Sequence, residues 1–240
     1  MSVFETIIYE KSGGKGYITL NRPEVLNVYN VRMRDELFEV LSAVKEDPDV
    51  RVIILKGAGD RAFCAGADLK EFLSAPPPVK ARQIRFERDV WGLFLSIDKP
   101  VVAALHGYVL GSGIEMAMCC DIRIAADDAQ FGVPEMGLGI IPAAGGSQTI
   151  PRIIGRGRAL EMLFSGRWVK AREALEMKMV NRVVPRSELI PGIEALADRI
   201  SHIRSQVLCA AKQAITRGLD LTLEQGLELE TRLGYSLINH

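Results

Sequence analysis

The stretch Val101-Val-Ala-Ala-Leu-His-Gly-Tyr-Val-Leu-Gly-Ser-Gly-Ile-Glu115-Met-Ala-Met-Cys-Cys-Asp121 decides the fold. Residues 101–109 are a short apolar run and read as a buried strand. Glycines follow, residues 111–119 read as a short helix, and residues 122–126 read as another strand. Strand, glycine turn, helix and strand in succession specify a layered α/β core. The same cycle appears upstream. Residues 4–10 and 16–20 read as strands around Ser12-Gly-Gly-Lys. Asn30 caps a helix with Met33, Leu37, Val40, Leu41 and Val44 on one face, stopped by Asp47-Pro48. Residues 51–56 form a buried strand and residues 57–70 a loop. Ala75-Pro-Pro-Pro78 reads as a mobile surface break, and residues 79–97 as a helix with Phe86, Val90, Phe94 and Ile97 on one face.

Downstream, residues 147–154 and 158–164 read as helices, and residues 180–184 as a last strand. From residue 187 the chain reads as helical, with Leu189, Ile193, Leu196, Ile200 and Ile203 on one face. A second helix spans residues 205–217 with Gly218 as its C-terminal cap, and Thr222-Leu-Glu-Gln225 opens a third as a capping box. The expected division is a core of residues 1–186 and a helical region of residues 187–240 that packs on the core, on another subunit, or on both.

Bulk properties exclude several classes. The 240 residues are 48% hydrophobic and 25% charged, values ordinary for a soluble globular protein. Thirty basic and thirty acidic residues cancel, and no aromatic-basic stripe is present, so nucleic acid is not an expected partner. No apolar run is long enough for a membrane span and the N-terminus lacks the form of a signal peptide. Cys64, Cys119, Cys120 and Cys209 form no Cys-x-x-Cys pair, and with His106, His202 and His240 they make no metal-ligand spacing. The cysteines read as buried free thiols and the setting as cytoplasmic.

Two glutamates stand out. Glu115 follows the glycines quoted above, and Glu135 lies in Phe131-Gly-Val-Pro-Glu135-Met-Gly. A carboxyl group among apolar neighbours titrates nearer neutrality, and a pair of them can take and give protons at pH 7. Read alone, Glu135 is equally an exposed loop carboxylate or a helix-start charge. Gly111 to Glu115 offers helix-start N–H groups that suit negative charge, but the spacing is neither a Walker A loop nor Gly-x-Gly-x-x-Gly. Ala62-Phe-Cys-Ala-Gly-Ala-Asp-Leu-Lys70 has small residues that admit a ligand to the backbone, although alone it reads as a tight turn. Asp68, Asp121 and Asp127 read as turn or cap residues, and Arg152, Arg156 and Arg158 as a solvated face.

Five fragments in order carry a resemblance: Leu20-Asn-Arg-Pro-Glu-Val-Leu-Asn27, Phe63-Cys-Ala-Gly-Ala-Asp-Leu69, Lys99-Pro-Val-Val-Ala-Ala-Leu-His-Gly107, Gly111 to Asp121, and Phe131 to Gly146. The chain resembles the enoyl-CoA hydratase/isomerase (crotonase) superfamily over nearly its whole length, and within it the enoyl-CoA hydratases. The resemblance implies an α/β, crotonase-like spiral of β-β-α units with a C-terminal helical region, assembled as a homotrimer or a dimer of trimers. It implies acyl-CoA substrates in fatty acid metabolism and no metal or redox cofactor. It maps the backbone oxyanion hole onto Ala67 and Ser112 and the catalytic carboxylates onto Glu115, the base toward water, and Glu135, the proton donor. It maps coenzyme A contacts onto Leu26, Val28, Ala65, Asp68 and Leu69. Retention of both acids favours hydration over one-carboxylate isomerisation. The alternatives on the same fold are an enoyl-CoA isomerase, a dienoyl-CoA hydratase and a non-catalytic acyl-CoA-binding or assembly protein. Three departures are visible. Ser112 and Ala143 stand where the family usually has glycine. The sequence stops at His240, where many relatives continue, so a shortened chain is expected, with the CoA phosphate site incomplete or completed by a neighbouring subunit.

Overall fold

A computed structural model describes residues 4–73 and 88–238. The break at 75–78 and the 79–87 part of the expected helix lie outside the described residues, as does His240.

Among the described residues, ten strands form two sheets. The larger has the order β1-β2-β3-β5-β7-β10, and the smaller β4-β6-β8-β9. Strands β1 (Ile7–Ser12) and β2 (Lys15–Leu20) are an antiparallel hairpin, as the Gly13-Gly14 turn allows. Helix α1 (Val31–Glu46) follows; the Asn30 side chain accepts from the Met33 N–H at 2.9 Å, a cap worth about 1 kcal/mol. The chain then spirals. Strand β3 (Val52–Gly57) enters the larger sheet and β4 (Ala62–Cys64) the smaller, followed by α2 (Leu69–Leu73) and α3 (Val90–Leu95). The next turn is β5 (Val101–Leu105), β6 (Tyr108–Leu110) and α4 (Ser112–Cys119). The third is β7 (Ile122–Ala126), β8 (Gln130–Gly132), a 3-10 turn over Pro134–Leu138, α5 (Gly146–Ile154) and α6 (Arg156–Ser165). Strands β9 (Val169–Lys170) and β10 (Arg182–Val184) close the sheets, with α7 (Ala171–Glu176) between them.

The β-β-α spiral expected from the resemblance is the observed architecture, with local corrections. The single strand expected over residues 101–109 is two strands in different sheets. They part at His106-Gly107, where Gly107 is left-handed (φ 52°) and a Cβ would overlap the Arg61 carbonyl. That carbonyl accepts from the Tyr108 N–H at 3.1 Å, so the bend docks β6 beside β4. The expected loop over 57–70 contains β4 and the start of α2, because sheet pairing organises residues too short in run to show periodicity. The short strands β8 and β9 escape sequence reading for the same reason.

The main core lies between the sheets and helices and includes Phe63, Phe94, Phe131, Leu37 and Ile114. A second core lies on the opposite face of the larger sheet, where Val52, Ile54, Val102, Ala104 and Ile124 meet Leu189, Ile193 and Ala197 of α8 (Leu189–Ser201). Ile203, expected on that face, is exposed, since α8 stops at Ser201. Helix α9 (Ser205–Gly218) includes Gly218 as its last residue and is capped by Leu219, not by the glycine. The capping box at the start of α10 (Leu223–Ile238) is present: Gln225 N–H reaches Thr222 Oγ1 at 3.3 Å and Thr222 N–H reaches Gln225 Oε1 at 3.2 Å. Cys64, Cys119 and Cys120 are buried free thiols and Cys209 is half-buried. Burial pushes the Cys64 thiol up to about 12, which keeps it protonated. No helix among the described residues is long and apolar enough to cross a membrane.

Candidate active site

The site is built where the spiral brings the end of β6 against the loop after β4. Gly111 precedes α4 with φ 49°, and a Cβ there would stand 2.8 Å from Glu135 Oε1. A Cβ on Gly113 would overlap the Cys64 carbonyl. The first turn of α4 is thus pressed onto β4 and the 65–67 loop, which only glycine at those positions permits. Arg123 holds the other end of α4. Its buried guanidinium donates to the Ala117 and Cys120 carbonyls and, at 2.8 Å, to Met179 O. A cation there also favours the helix C-terminus.

Ala67 and Ser112 line the same cavity. Residue Tyr29 bridges Ala67 in parallel, donating to Gly66 O and accepting from Asp68 N–H, each at 2.8 Å. Strand alternation then turns the Ala67 N–H to the opposite side. The Ser112 N–H is the first of a helix and has no acceptor within it. The Ser112 hydroxyl lines the cavity without a hydrogen-bond partner among the described residues.

The two carboxylates reach this cavity from different elements. Glu115, on α4, is 2% exposed, and its Oε1 accepts from the N–H groups of Ala144 and Gly146, both at 2.9 Å. Glu135 sits in the 3-10 turn, which Pro134 starts and Gly139 ends in the left-handed conformation. Ile140 N–H returns to Glu135 O at 3.1 Å, so the main chain fixes the residue. Its side chain is 9% exposed, and Oε2 has no hydrogen-bond partner among the described residues. Burial raises the Glu135 pKa above the ordinary carboxyl range, with its own backbone N–H opposing. Of the readings open for Glu135, neither an exposed loop charge nor a simple dipole charge describes a carboxyl group buried in this way.

Glu115, Glu135, Ala67 and Ser112 line one cavity of about 470 Å³ together with Ile140, Ile141, Ala143 and Ala144. A second cavity of about 490 Å³ adjoins it through Ala67, Glu135 and Ile140 and is lined by Leu26, Val28, Ala65, Asp68 and Leu69. All nine sequence-selected site residues therefore fall on two joined cavities. Asp68 also has the turn role read from sequence: Oδ2 pairs with Arg22 at 3.1 Å and Oδ1 accepts from Lys70 N–H at 3.2 Å. Among the described residues, no group of three or more His, Cys, Asp and Glu side chains is arranged to hold a metal ion.

Sequence reading missed Asn27, which is fully buried and left-handed (φ 54°). Its Oδ1 accepts from Arg22 N–H at 2.8 Å, and its Nδ2 donates to the Ala58 and Ala62 carbonyls, both at 2.9 Å. The neighbouring Leu26 carbonyl accepts from Ala65 N–H at 3.0 Å. Asn27 thus ties the Leu26 segment to β4 and to the loop after β3, while Leu26 itself meets the loop bearing Ala67. Its only sequence signal was its place in the Leu20–Asn27 fragment. Asn27→Ala leaves these backbone groups unpaired and is expected to cost about 2–4 kcal/mol in urea unfolding. An unfolding midpoint unchanged from wild type would remove this anchoring role.

The enoyl-CoA hydratase/isomerase family model matches residues 10–240. The chain belongs to the enoyl-CoA hydratase/isomerase family. A crotonyl-CoA hydratase of Syntrophomonas wolfei is 37% identical over 228 residues, covering 95% of this chain and 87% of that one. A short-chain-enoyl-CoA hydratase of Clostridium acetobutylicum is 38% identical, covering 94% of this chain and 86% of the relative. Among solved structures, an enoyl-CoA hydratase from Bacillus anthracis superposes with a TM-score of 0.93 at 36% identity, covering 98% of this chain and 92% of the other. Membership in the family accounts for the two-sheet spiral.

Proposed function

We propose that this family member is an enoyl-CoA hydratase, adding water across the 2,3 double bond of an enoyl-CoA thioester to give a 3-hydroxyacyl-CoA. One observation carries the reading: two buried carboxylates, Glu115 and Glu135, line a single cavity together with Ala67 and Ser112. On this reading the coenzyme A portion lies along Leu26, Val28, Ala65, Asp68 and Leu69, and the acyl portion enters the cavity beside Ser112. The thioester oxygen accepts from the N–H groups of Ala67 and Ser112, which stabilise it best once it carries enolate charge.

Water bound between the carboxylates gives a proton to ionised Glu115 as its oxygen bonds to Cβ. The C=C electron pair moves into the thioester, and the enolate then takes a proton at Cα from Glu135. The raised pKa of Glu135 suits it to start protonated, while the two N–H groups on Glu115 suit that residue to start ionised. The two acids share these duties over a full cycle, since a proton must return from Glu115 to Glu135. The reading calls for no metal or redox cofactor, and for a cytoplasmic homotrimer or dimer of trimers that binds acyl-CoA and no nucleic acid. Residues 1–186 would form the catalytic core and residues 187–240 the region that packs against it and against neighbouring subunits.

Incubation with crotonyl-CoA is expected to remove the conjugated thioester absorbance and yield 3-hydroxybutyryl-CoA. Unchanged absorbance, with turnover of a 3-enoyl-CoA instead, would assign the site to isomerisation.

A further inference from the structure

A third cavity, of about 370 Å³, lies at the C-terminal ends of β2, β3 and β5 and shares no lining residue with the two above. Its floor follows from strand register. Thr19 pairs with Lys56 and Lys56 with Ala104, so the three side chains form one row on one face. In the preceding row on that face, Ile54 and Val102 pack in the core beneath α8, and half-buried Tyr17 packs against them while its hydroxyl donates to Glu194 at 2.9 Å. In the next row Ala104 still packs beneath α8, while Thr19 and Lys56 line the cavity beside the start of that helix. Arg186, Leu189 and Ile190 wall it on one side, and the Gly57–Asp60 loop and His106 on another.

Two buried side-chain nitrogens here have no hydrogen-bond partner among the described residues. His106 is 3% exposed, lines the cavity, and its Nε2 has no hydrogen-bond partner among the described residues. The Arg186 Nη1 is also buried and unpartnered among those residues. Neither Lys56 nor Arg186 forms a salt bridge among the described residues: Lys56 Nζ lies 5.6 Å from the Tyr17 ring centroid, and Asp60, exposed in the lining, acts on Arg186 without bonding to it. Partly desolvated cations without a hydrogen-bonded counter-charge are costly, whereas an oxyanion with several lone pairs can serve more than one of these donors. The crevice beyond the carboxyl ends of parallel strands is also where open α/β sheets commonly hold ligands.

We propose that this cavity binds a phosphate group, as free phosphate or as a small phosphomonoester, through Lys56, Arg186, His106 and the Thr19 hydroxyl. The assignment is independent of the hydration reading, because no residue is shared. Calorimetric titration of the full chain with inorganic phosphate and, separately, glycerol 3-phosphate, at matched ionic strength in chloride, tests it. Saturable binding is expected, and Lys56→Gln and Arg186→Gln are each expected to weaken it by about tenfold or more. The same variants keep crotonyl-CoA turnover, and Glu135→Gln keeps phosphate affinity. Tighter binding of glycerol 3-phosphate than of phosphate identifies a phosphomonoester as the occupant; the reverse identifies the free anion. Absence of heat beyond the chloride control, or equal affinity in wild type and both variants, would overturn the proposal.

Discussion

Glu135→Gln is expected to lower kcat for crotonyl-CoA hydration by about 10²–10⁴-fold, the usual contribution of a positioned acid or base. The amide keeps the size of the side chain and leaves the 3-10 turn intact, since that turn is held by main-chain bonds. It cannot deliver a proton to Cα. Circular dichroism and the unfolding temperature should show a folded protein, and activity near wild type would remove Glu135 from the mechanism.

The same variant has a stability signature. Burial raises the Glu135 pKa, so the folded protein holds that proton more tightly than the unfolded chain does. The stability linked to the proton is complete below the ordinary carboxyl pKa and is lost as pH rises through the raised, folded value. Glutamine is neutral throughout. The Tm of Glu135→Gln relative to wild type should therefore climb as pH rises across that window. A difference that stays flat with pH would contradict the raised pKa.

Glu115→Gln is the second large expected effect, a loss of activity again about 10²–10⁴-fold. Here the amide oxygen can still accept from Ala144 and Gly146, so folding is retained while the base toward water is gone. Glu115→Ala differs. It strands two N–H groups in a buried site and opens a void beside α5, which together cost about 2–4 kcal/mol of stability. Comparing the two variants by urea unfolding separates the structural share of Glu115 from its chemical share. Near-normal hydration by the glutamine variant would show that its carboxylate serves only to hold the 144–146 loop.

Much of this was legible beforehand for identifiable reasons. Long periodic segments such as α1 and α8 declare themselves through side-chain spacing, and Asn30 and Thr222 through capping chemistry. The glycine-rich fragments mark places where backbones approach closely, and Gly111 and Gly113 meet Glu135 and Cys64 there. What escaped was decided by partners distant in sequence. Strand β4 is three residues long and exists because β6 lies beside it. Asn27 anchors the site through carbonyls at Ala58 and Ala62 that no local pattern ties to it.

The sequence by itself determined the family, the alternation of strands and helices, and the candidate site residues, because local propensity, glycine placement and motif order are encoded in neighbouring positions. Only the tertiary structure decided that the run over residues 101–109 splits between two sheets, that Glu115 is tied by two N–H groups while a buried Glu135 oxygen has no partner among the described residues, and that Thr19, Lys56 and Ala104 share a row. Those facts depend on strand register and on desolvation, which are set by contacts between segments far apart in the chain.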